Sequence, residues 1–431
     1  MRLNNEALLL FLLPLLAACS TKSSTSETSC TAGSNGASLS TIGLPNGPSI
    51  TAPSGPNVLP FTINTSNCAT SGGYSGNTPC GSVTLCDPGN ASDCQTISNI
   101  LIDTGSYGLR IFSSVVNSGL LATLTPVTNA AGNPIAECVS YADNSADWGP
   151  VVNANVILGS EAAVKVPIQL IDPSYGQVTV CNGGSVDASP SVTGFNGVLG
   201  VGLFQQDCGE TCAQKIANGI YYSCTNQICA YTNVSLANQV TNPASQEAVD
   251  NNGVIMALPS LPSLTAESVD GYLVLGIGTQ SNNQPSGVTA FDASSSGAYA
   301  GNFDISCSGQ DYPGSFIDSG SNGIFFNAPS LNIPNCGGWY CPTQDLSALI
   351  EITGTSGSPS AYAGFTIGNY NTFVTDYPSN AAFSAIAGSL GSSNTSDTTF
   401  DLGLPFFYGR NVYVGFENTS SSVGNGTYWA F

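Results

Sequence analysis

The sequence predicts an all-β protein in which two related β lobes meet at a pair of aspartates. The 431 residues include 49 Gly and 25 Pro, and only 8% are charged, a composition that favours strands and turns over helices. The chain is long enough for two domains, each with its own core. The segments ILIDTGSYGLRIF (100–112) and SFIDSGSNGIFFN (315–327) repeat one unit, an apolar strand that ends in Asp-Thr/Ser-Gly-Ser. Two copies of this unit indicate two similar lobes that meet at a pair of aspartates.

An export signal begins the chain. Arg2 precedes the apolar run ALLLFLLPLL (7–16), which is too short to span a bilayer. The following Leu-Ala-Ala-Cys resembles the lipobox of bacterial lipoproteins, which implies a signal peptide at 1–18 and a membrane anchor through a lipid on Cys19. Ser20 implies sorting to the outer membrane. We therefore expect an exported lipoprotein of the bacterial cell envelope that faces the periplasm or the cell surface; an ordinary signal peptide with an incidental Cys is the alternative.

A tether and two lobes are expected after the signal. Residues 19–58 are rich in Ser and Thr and then in Gly and Pro, which predicts a flexible tether without a core of its own. Around GVIMALPSLPSL (253–264) the order of strand and hairpin segments begins again. We therefore predict an N-terminal β lobe at 59–262 and a C-terminal β lobe at 263–431.

Charge and composition exclude several classes of function. The formal net charge is -21 with six Lys and Arg residues and no His. Nucleic acid would be repelled, and binding to an anionic membrane by charge alone is excluded. Without histidine there is no Ser-His-Asp triad, no Cys-His pair and no His-based zinc site.

Fifteen cysteines are typical of an exported, oxidised protein. Closely spaced cysteines could close small loops, although the sequence does not fix the connectivity. The rival interpretation is metal ligation at Cys208 and Cys212, which have zinc-like spacing but no second matching pair. We therefore expect no metal site. The candidate disulfides are Cys86 with Cys94, Cys208 with Cys212, Cys224 with Cys229, and Cys336 with Cys341.

The predicted elements of the first lobe begin with a hairpin. GSVTLC (81–86) and CQTISNILID (94–103) flank turn residues, so the second strand would end at Asp103. A second hairpin is predicted at 136–159, with Tyr141 at the shoulder of its polar tip. VTGFNGVLGVGLF (192–204) is expected to be a buried strand and turn, and a short helix is expected around 213–217.

The second lobe repeats this order. GYLVLGIG (271–278) is predicted to be a strand, and FDISCSGQDYPGSFID (303–318) to be a hairpin that ends at Asp318. DLGLPFFYGRNVYVGFE (401–417) closes the lobe, and its LGLPFF resembles GVLGVGLF of the first lobe in character. Each half therefore has a hairpin, an Asp-Thr/Ser-Gly loop, further strands and an apolar segment with glycine.

This order resembles that of pepsin-like aspartic peptidases, bilobal β proteins in which each lobe contributes one Asp-Thr/Ser-Gly loop to a central cleft. The resemblance covers roughly residues 60–431. It rests on both motifs together, with Ile102 and Ile317 just before each Asp and Gly108 and Gly323 five positions after it. The resemblance implies the same fold and a peptide or protein substrate, and we expect a monomer.

The resemblance also implies the roles of individual residues. The aspartates would be catalytic, the glycines would let backbone N–H groups approach them, the serines would hydrogen-bond to them from outside, and the tyrosine would lie on a flap. These residues are the catalytic Asp103 and Asp318, the supporting Gly105, Ser106, Gly320 and Ser321, and the flap residue Tyr141.

Two segments match the family and two residues depart from it. Residues 197–202 and 402–407 match the apolar segments with glycine that lie beside the catalytic loops. Arg110 occupies the position where many members have a tryptophan that supports the flap tyrosine, and Asn144 stands where the flap usually has glycine. These departures concern the flap and not the aspartates.

The chemistry expected from the two aspartates is peptide hydrolysis. Two carboxyl groups about 3 Å apart share one proton, so one can take a proton from water while the other donates to the scissile carbonyl. The chemistry that the resemblance implies requires no cofactor or metal. The first alternative is a catalytically inactive protein of this fold that binds peptides or an envelope partner, which the altered flap favours. The second is a glycosidase, whose carboxyl groups would be about 5 Å or more apart.

Overall fold

A computed structural model describes residues 53–69, 76–177, 180–297, 299–390 and 398–431. Within these ranges the protein is nearly all β, with 43% strand and 11% helix, arranged in barrel and half-barrel sheets. The predicted all-β class is therefore confirmed. The predicted signal peptide and Cys19, together with most of the predicted tether, lie outside the described residues. Within the described ranges, every helix is too short or too polar to cross a membrane.

Eighteen strands form a large sheet that takes its members from both ends of the described chain. They are β1 (Val58–Ile63), β2 (Cys80–Asp87), β3 (Asn90–Asp103), β4 (Tyr107–Phe112), β5 (Thr125–Pro126), β6 (Ile135–Ser140), β7 (Ser145–Ile157), β8 (Val164–Ile171), β9 (Val180–Cys181), β10 (Gly184–Val186), β11 (Gly197–Val201), β12 (Tyr221–Thr225), β13 (Ile228–Tyr231), β14 (Gly253–Leu258), β16 (Val269–Leu275), β17 (Ala290–Asp292), β28 (Arg410–Gly415) and β29 (Tyr428–Ala430).

A second sheet has nine strands, and two more strands form a separate pair. The nine are β18 (Phe303–Cys307), β19 (Gln310–Ile317), β20 (Ile324–Phe326), β21 (Asn335–Cys336), β22 (Trp339–Tyr340), β23 (Leu346–Thr353), β24 (Ser360–Ile367), β26 (Ala387–Gly388) and β27 (Phe400–Leu402). The separate pair consists of β15 (Thr265–Ala266) and β25 (Ala382–Phe383).

The helices are short. The α-helices are α1 (Ser118–Leu121), α2 (Pro190–Thr193), α3 (Glu210–Gln214) and α4 (Tyr370–Asp376), and the 3-10 turns are Ser113–Val115, Tyr175–Gln177, Leu236–Asn238, Pro243–Gln246, Pro329–Leu331 and Leu404–Phe406. The short helix predicted around 213–217 begins and ends earlier, as α3.

The first aspartate lies at the end of a strand, as the sequence predicts. Strands β2 and β3 form an antiparallel hairpin. Strand β11 then lies between β3, to which it is parallel, and β4, to which it is antiparallel. In this register Gly200 is opposite Asp103, and Leu199 is opposite both Ile102 and Leu109. Strand β11 therefore holds together the two strands that flank the Asp103 loop.

The second aspartate is held in the same way in the smaller sheet. Strands β18 and β19 form an antiparallel hairpin that leads to Asp318. Strand β27 lies between β19 and β20, with Leu402 opposite both Ile317 and Ile324. Since the pattern of parallel and antiparallel pairing is the same in both sheets, the sequence repeat corresponds to a structural repeat.

One hydrophobic cluster includes buried residues from both of these arrangements, such as Leu199 of β11 and Leu402 of β27. Strands from both sides of the predicted lobe boundary at 262 also pair with one another, because β14 lies between β16 and β28. The exact lobe boundary stays a prediction.

All four disulfides that the spacing suggested are present: Cys86–Cys94, Cys208–Cys212, Cys224–Cys229 and Cys336–Cys341. Two more, Cys68–Cys80 and Cys138–Cys181, join cysteines 12 and 43 residues apart, and Cys307 is disulfide-bonded as well. Cys208 and Cys212 bind each other, so the alternative that they ligate a metal is wrong.

Candidate active site

Asp103 and Asp318, the two predicted catalytic residues, lie side by side. Asp103 is the last residue of β3, and Asp318 directly follows β19. The carboxyl group of Asp318 hydrogen-bonds to that of Asp103, although 214 residues separate them in the chain. Asp103 is 7% exposed. The structure therefore brings the two motifs together at one buried pair of carboxyl groups.

Two donors hold the carboxyl group of Asp103. The backbone N–H of Gly105 donates to Oδ1 at 2.7 Å. The hydroxyl of Ser106 donates to Oδ2. Each oxygen of this carboxyl group therefore has a donor from its own loop.

The second loop repeats these contacts. The N–H of Gly320 donates to Oδ1 of Asp318 at 2.7 Å, and the hydroxyl of Ser321 donates to Oδ2 at 2.9 Å. The four residues predicted to support the dyad thus occupy the predicted positions around it.

Each glycine also allows the opposite loop to come close. A Cβ atom on Gly105 would lie 2.5 Å from Cγ of Asp318, and one on Gly320 would lie 2.7 Å from Oδ1 of Asp103. Real Cβ atoms essentially never approach other atoms so closely. The glycines are therefore required by close packing across the site.

Two further residues, which the sequence reasoning did not single out, join the loops. Thr104 Oγ1 donates to the carbonyl of Ile317 at 3.0 Å, and Ser319 Oγ donates to the carbonyl of Ile102 at 2.7 Å. Each hydroxyl also accepts the backbone N–H of the other residue at 3.0 Å. The signal that could have identified them is a hydroxyl residue at the second position of both motifs.

The environment of Asp318 favours its neutral form. Burial, followed by the negative charge of Asp103 and the hydrogen bond to it, raises the pKa of Asp318 to about 8. The hydrogen bonds from Ser321 and Gly320 act in the opposite direction. Asp318 is therefore the member of the pair whose surroundings favour holding a proton.

Tyr141 lies at the tip of the predicted second hairpin, formed by β6 and β7. Its hydroxyl donates to Oδ2 of Asp147 at 2.7 Å. Burial and the negative charge of Asp147 raise the pKa of Tyr141, and the charge of Asp103 contributes as well. Asn144, at the same tip, has a φ of 68°, a conformation that Asn and Gly adopt more readily than other residues. Asn in place of Gly is therefore compatible with this turn.

The hairpin that carries Tyr141 is fixed on both sides. Strand β12 pairs with β6, and β10 pairs with β7. The disulfide between Cys138 and Cys181 joins β6 to β9. The candidate flap is thus part of a wider sheet, a feature that the sequence did not reveal because these partners are distant in the chain.

Arg110, at the position where many members of the resembled family have a tryptophan, acts on Tyr141 through its charge, which lowers the pKa of the tyrosine. The side chain is 1% exposed and donates to Oε1 of Glu137 at 2.7 Å and to Oδ2 of Asp207 at 3.4 Å. Burial lowers the pKa of Arg110, whereas the negative charges of these two carboxyl groups raise it. The net change in the pKa of Arg110 is upward. Burial also raises the pKa of Glu137. Arg110 is therefore the cation of a buried cluster beside the site.

No group of three or more His, Cys, Asp or Glu side chains suited to a metal ion occurs in the part of the chain that the structure describes. The donors around the dyad are backbone amides and hydroxyls. This arrangement can polarise a water molecule and a carbonyl group through carboxyl chemistry alone.

Comparison with known proteins identifies the family. Residues 53–431 match the family model described as "Protein of unknown function (DUF3443)". Because the match covers most of the chain, the protein belongs to that family. No curated protein matches the sequence.

Proposed function

We propose that this member of the DUF3443 family is an aspartic-type endopeptidase with the bilobal fold of pepsin-like aspartic peptidases. One observation carries the proposal: the carboxyl groups of Asp103 and Asp318 are hydrogen-bonded to each other, and each accepts an equivalent pair of donors from its own loop. A structural aspartate in a turn would need only its own backbone amides. Packing two carboxyl groups against each other in the interior costs free energy, and a catalytic role for the pair would explain why this arrangement is kept.

The repeated topology supports the proposed fold. Strand β11 lies between the strands that flank Asp103, and β27 lies between those that flank Asp318. The cross-loop hydrogen bonds of Thr104 and Ser319 relate the two halves by the same approximate symmetry. A pair of related lobes with one catalytic loop each accounts for both features.

In the proposed mechanism, Asp318 carries the shared proton in the free protein, because its pKa is raised to about 8. The ionised carboxylate of Asp103 takes a proton from a water molecule, and the oxygen of that water attacks the scissile carbonyl carbon. At the same time Asp318 donates its proton to the carbonyl oxygen. Collapse of the tetrahedral intermediate breaks the C–N bond, and the amine leaves with a proton from the dyad. No covalent intermediate forms.

The proposed location is the bacterial cell envelope, with Cys19 as the lipid attachment site. The six described disulfides support an oxidising compartment. A peptidase held at a membrane by its N-terminus would act on peptides or unfolded proteins outside the cytoplasm.

The test is cleavage of an unfolded protein substrate by the purified full chain between pH 3 and 7, followed by mass spectrometry. Asp103→Asn serves as the inactive variant. Asp93→Asn, an exposed position on the same strand, is the matched control. We expect cleavage that Asp103→Asn abolishes and Asp93→Asn retains. Equal cleavage by both variants, or none by the folded wild-type protein, would refute the proposed peptidase.

Peptide binding without cleavage is the second candidate function. One observation favours it: the hairpin with Tyr141 pairs with β12 on one side and β10 on the other, and the Cys138–Cys181 disulfide joins it to β9. These connections restrict movement of the hairpin over a bound substrate. Retention of a fluorescent peptide by a protein that does not cut it would identify this function.

A further inference from the structure

Asn77, which lies shortly before β2, connects the first part of the chain to the loop of Asp318. Its side chain is buried, with 1% exposed. The amide group donates to the carbonyl of Asn322 at 2.9 Å and to that of Phe383 at 2.8 Å. The side-chain oxygen accepts the backbone N–H of Phe383 at 2.8 Å and the hydroxyl of Tyr408 at 2.7 Å. Both the donors and the acceptor of Asn77 are therefore in use, and one bond reaches the aspartate loop.

The same segment also reaches the strand that ends at Asp103. The carbonyl of Pro79, two residues after Asn77, accepts the backbone N–H of Ile102 at 2.9 Å. Because Ile102 directly precedes Asp103, this bond lies beside the first aspartate. The segment therefore contacts the surroundings of both carboxyl groups, one through its backbone and the other through the Asn77 side chain.

The Asp103 loop has an equivalent contact. Asn322 follows Asp318 by four residues, and Tyr107 follows Asp103 by the same number. The carbonyl of Tyr107 accepts a hydrogen bond from Nη1 of Arg110 at 2.7 Å, and Arg110 is also 1% exposed. In both loops a buried side chain therefore donates to the carbonyl at the same position.

The carbonyl one position earlier is held alike in both loops. The N–H of Gly202 donates to the carbonyl of Ser106 at 2.9 Å, and the N–H of Leu404 donates to that of Ser321 at 2.8 Å. These serines are the residues whose hydroxyls donate to the aspartates. Two consecutive carbonyls, those of Ser321 and Asn322, are thus fixed, and with them the backbone that presents the Ser321 hydroxyl.

The residue type at position 77 suits this contact. Asn77 has a φ of 57°, in the left-handed region that Asn and Gly adopt more readily than other residues. An amide side chain combines two N–H donors with an oxygen acceptor. Glycine would suit the backbone but would remove the donor to the carbonyl of Asn322. The backbone conformation and the contacts together therefore favour asparagine.

We propose that Asn77 is a positioning residue, which holds the Asp318 loop through the carbonyl of Asn322. This contact keeps the Ser321 hydroxyl aligned with the carboxyl group of Asp318, to which it donates at 2.9 Å. Arg110 is the corresponding donor in the other loop. The role in catalysis rests on the proposed function, whereas the alignment of Ser321 with Asp318 does not depend on activity.

The alignment has a measurable consequence at Asp318. Without the Asn77 amide, the carbonyl of Asn322 loses a donor and the backbone beside Ser321 can move. The hydrogen bond from Ser321 lowers the pKa of Asp318, so a weaker bond should raise this pKa. Asparagine and glycine are both uncharged. A change in the titration of Asp318 on their exchange therefore reports the hydrogen bond and not a new charge.

The test is an NMR titration of the full chain labelled with ¹³C at the aspartate carboxyl groups, without substrate. The Asp318 signal is assigned by its loss in Asp318→Asn. Asn77→Gly removes the amide. Asn418→Gly is the matched control, because Asn418 is exposed and has a φ of 59°. If Asn77→Gly does not fold, Asn77→Ser, whose side chain is uncharged and shorter, decides.

We expect Asp318 to titrate at least about half a pH unit higher in Asn77→Gly than in the wild-type protein. The titration should be unchanged in Asn418→Gly. In a cleavage assay, kcat of Asn77→Gly should fall about tenfold with little change in KM, because a catalytic group is displaced. Asn418→Gly should keep both wild-type values.

An unchanged Asp318 titration in a folded Asn77 variant would overturn the inference, whatever the change in Tm, because a residue with a merely structural role affects stability alone. That result would leave the proposed peptidase untouched. If the wild-type protein cleaves nothing but the titration shifts as expected, the positioning role stands and the proposed function fails. The two outcomes are thus distinguishable.

Discussion

Thr104 and Ser319 hold the two aspartate loops together through reciprocal hydrogen bonds. Each hydroxyl donates to a carbonyl of the opposite loop region, at 3.0 and 2.7 Å, and each accepts the other residue's backbone N–H at 3.0 Å. Both side chains are almost completely buried. Because four bonds converge here, the separation of the carboxyl groups is fixed by the backbone of both loops.

Replacement of Thr104 by Val should destabilise the protein and disturb the dyad. The substitution keeps the shape but removes a donor and an acceptor, leaving two buried backbone groups unpaired. We expect a loss of about 1–3 kcal/mol in the free energy of unfolding. Urea denaturation measures this change. Thr104→Ser keeps the hydroxyl and is the control; equal stability of Val and Ser variants would contradict the role assigned to these bonds.

Gly105→Ala should separate the two carboxyl groups. The added methyl would lie 2.5 Å from Cγ of Asp318, so the opposite loop has to move. We expect at least a hundredfold loss of cleavage, since small displacements of catalytic groups cost about this much. Gly119→Ala is the matched control, because its Cβ would have no atom within 4 Å. Activity retained in Gly105→Ala would show that the loops need not pack so closely.

The protein should become less stable as the pH rises from about 4 to about 8. Burial raises the pKa of Asp318 to about 8 and the pKa values of Asp187 and Glu247 to about 7. The folded protein therefore binds these protons more tightly than the unfolded chain. The contribution of each group to the free energy of unfolding is fully present below the carboxyl pKa of the unfolded chain. It is lost as the pH rises through the raised pKa of the folded protein.

Thermal unfolding at several pH values measures this dependence. Each fully titrating group should lower the free energy of unfolding by about 1.4 kcal/mol per pH unit within its window. Asp318→Asn removes one such group and should flatten the slope between pH 4 and 8. A wild-type protein with constant or increasing stability over this range would contradict the prediction.

Arg110→Met should be among the most destabilising substitutions. Loss of the guanidinium leaves Glu137 and Asp207 buried without a cation, and breaking a buried pair in this way costs about 3–5 kcal/mol. Adding Glu137→Gln and Asp207→Asn should recover much of the loss. The midpoint of urea denaturation provides the measurement, and Lys165→Met, at an exposed position, is the control. No recovery in the triple variant would indicate that packing, rather than charge, dominates at Arg110.

The sequence predicted those features that depend on local pattern. Strand segments that flank turn residues placed the hairpins before Asp103 and Asp318, and short spacing identified four disulfides. The repeated motif predicted that the two aspartates would lie together, because two similar lobes that each end a strand in Asp-Thr/Ser-Gly can meet at those strand ends.

Features that depend on distant residues could not be predicted. The Cys138–Cys181 disulfide joins cysteines 43 residues apart, and the hydrogen bonds between Thr104 and Ser319 join residues 215 positions apart. Asp401 did leave a signal, an acidic residue in an otherwise apolar segment, but only the register of β27 shows that it lies opposite Phe316, two residues before Asp318. Side-chain partners across sheets follow from packing rather than from local sequence.

The most direct test of the account is the cleavage rate of Asp103→Asn, Asp318→Asn and the double variant, beside the exposed control Asp93→Asn. If the two carboxyl groups act as one unit, each single variant should lose at least about a thousandfold in kcat, and the double variant should be no slower than either. The account is contradicted if one single variant keeps wild-type activity, or if the losses of the two single variants multiply in the double variant.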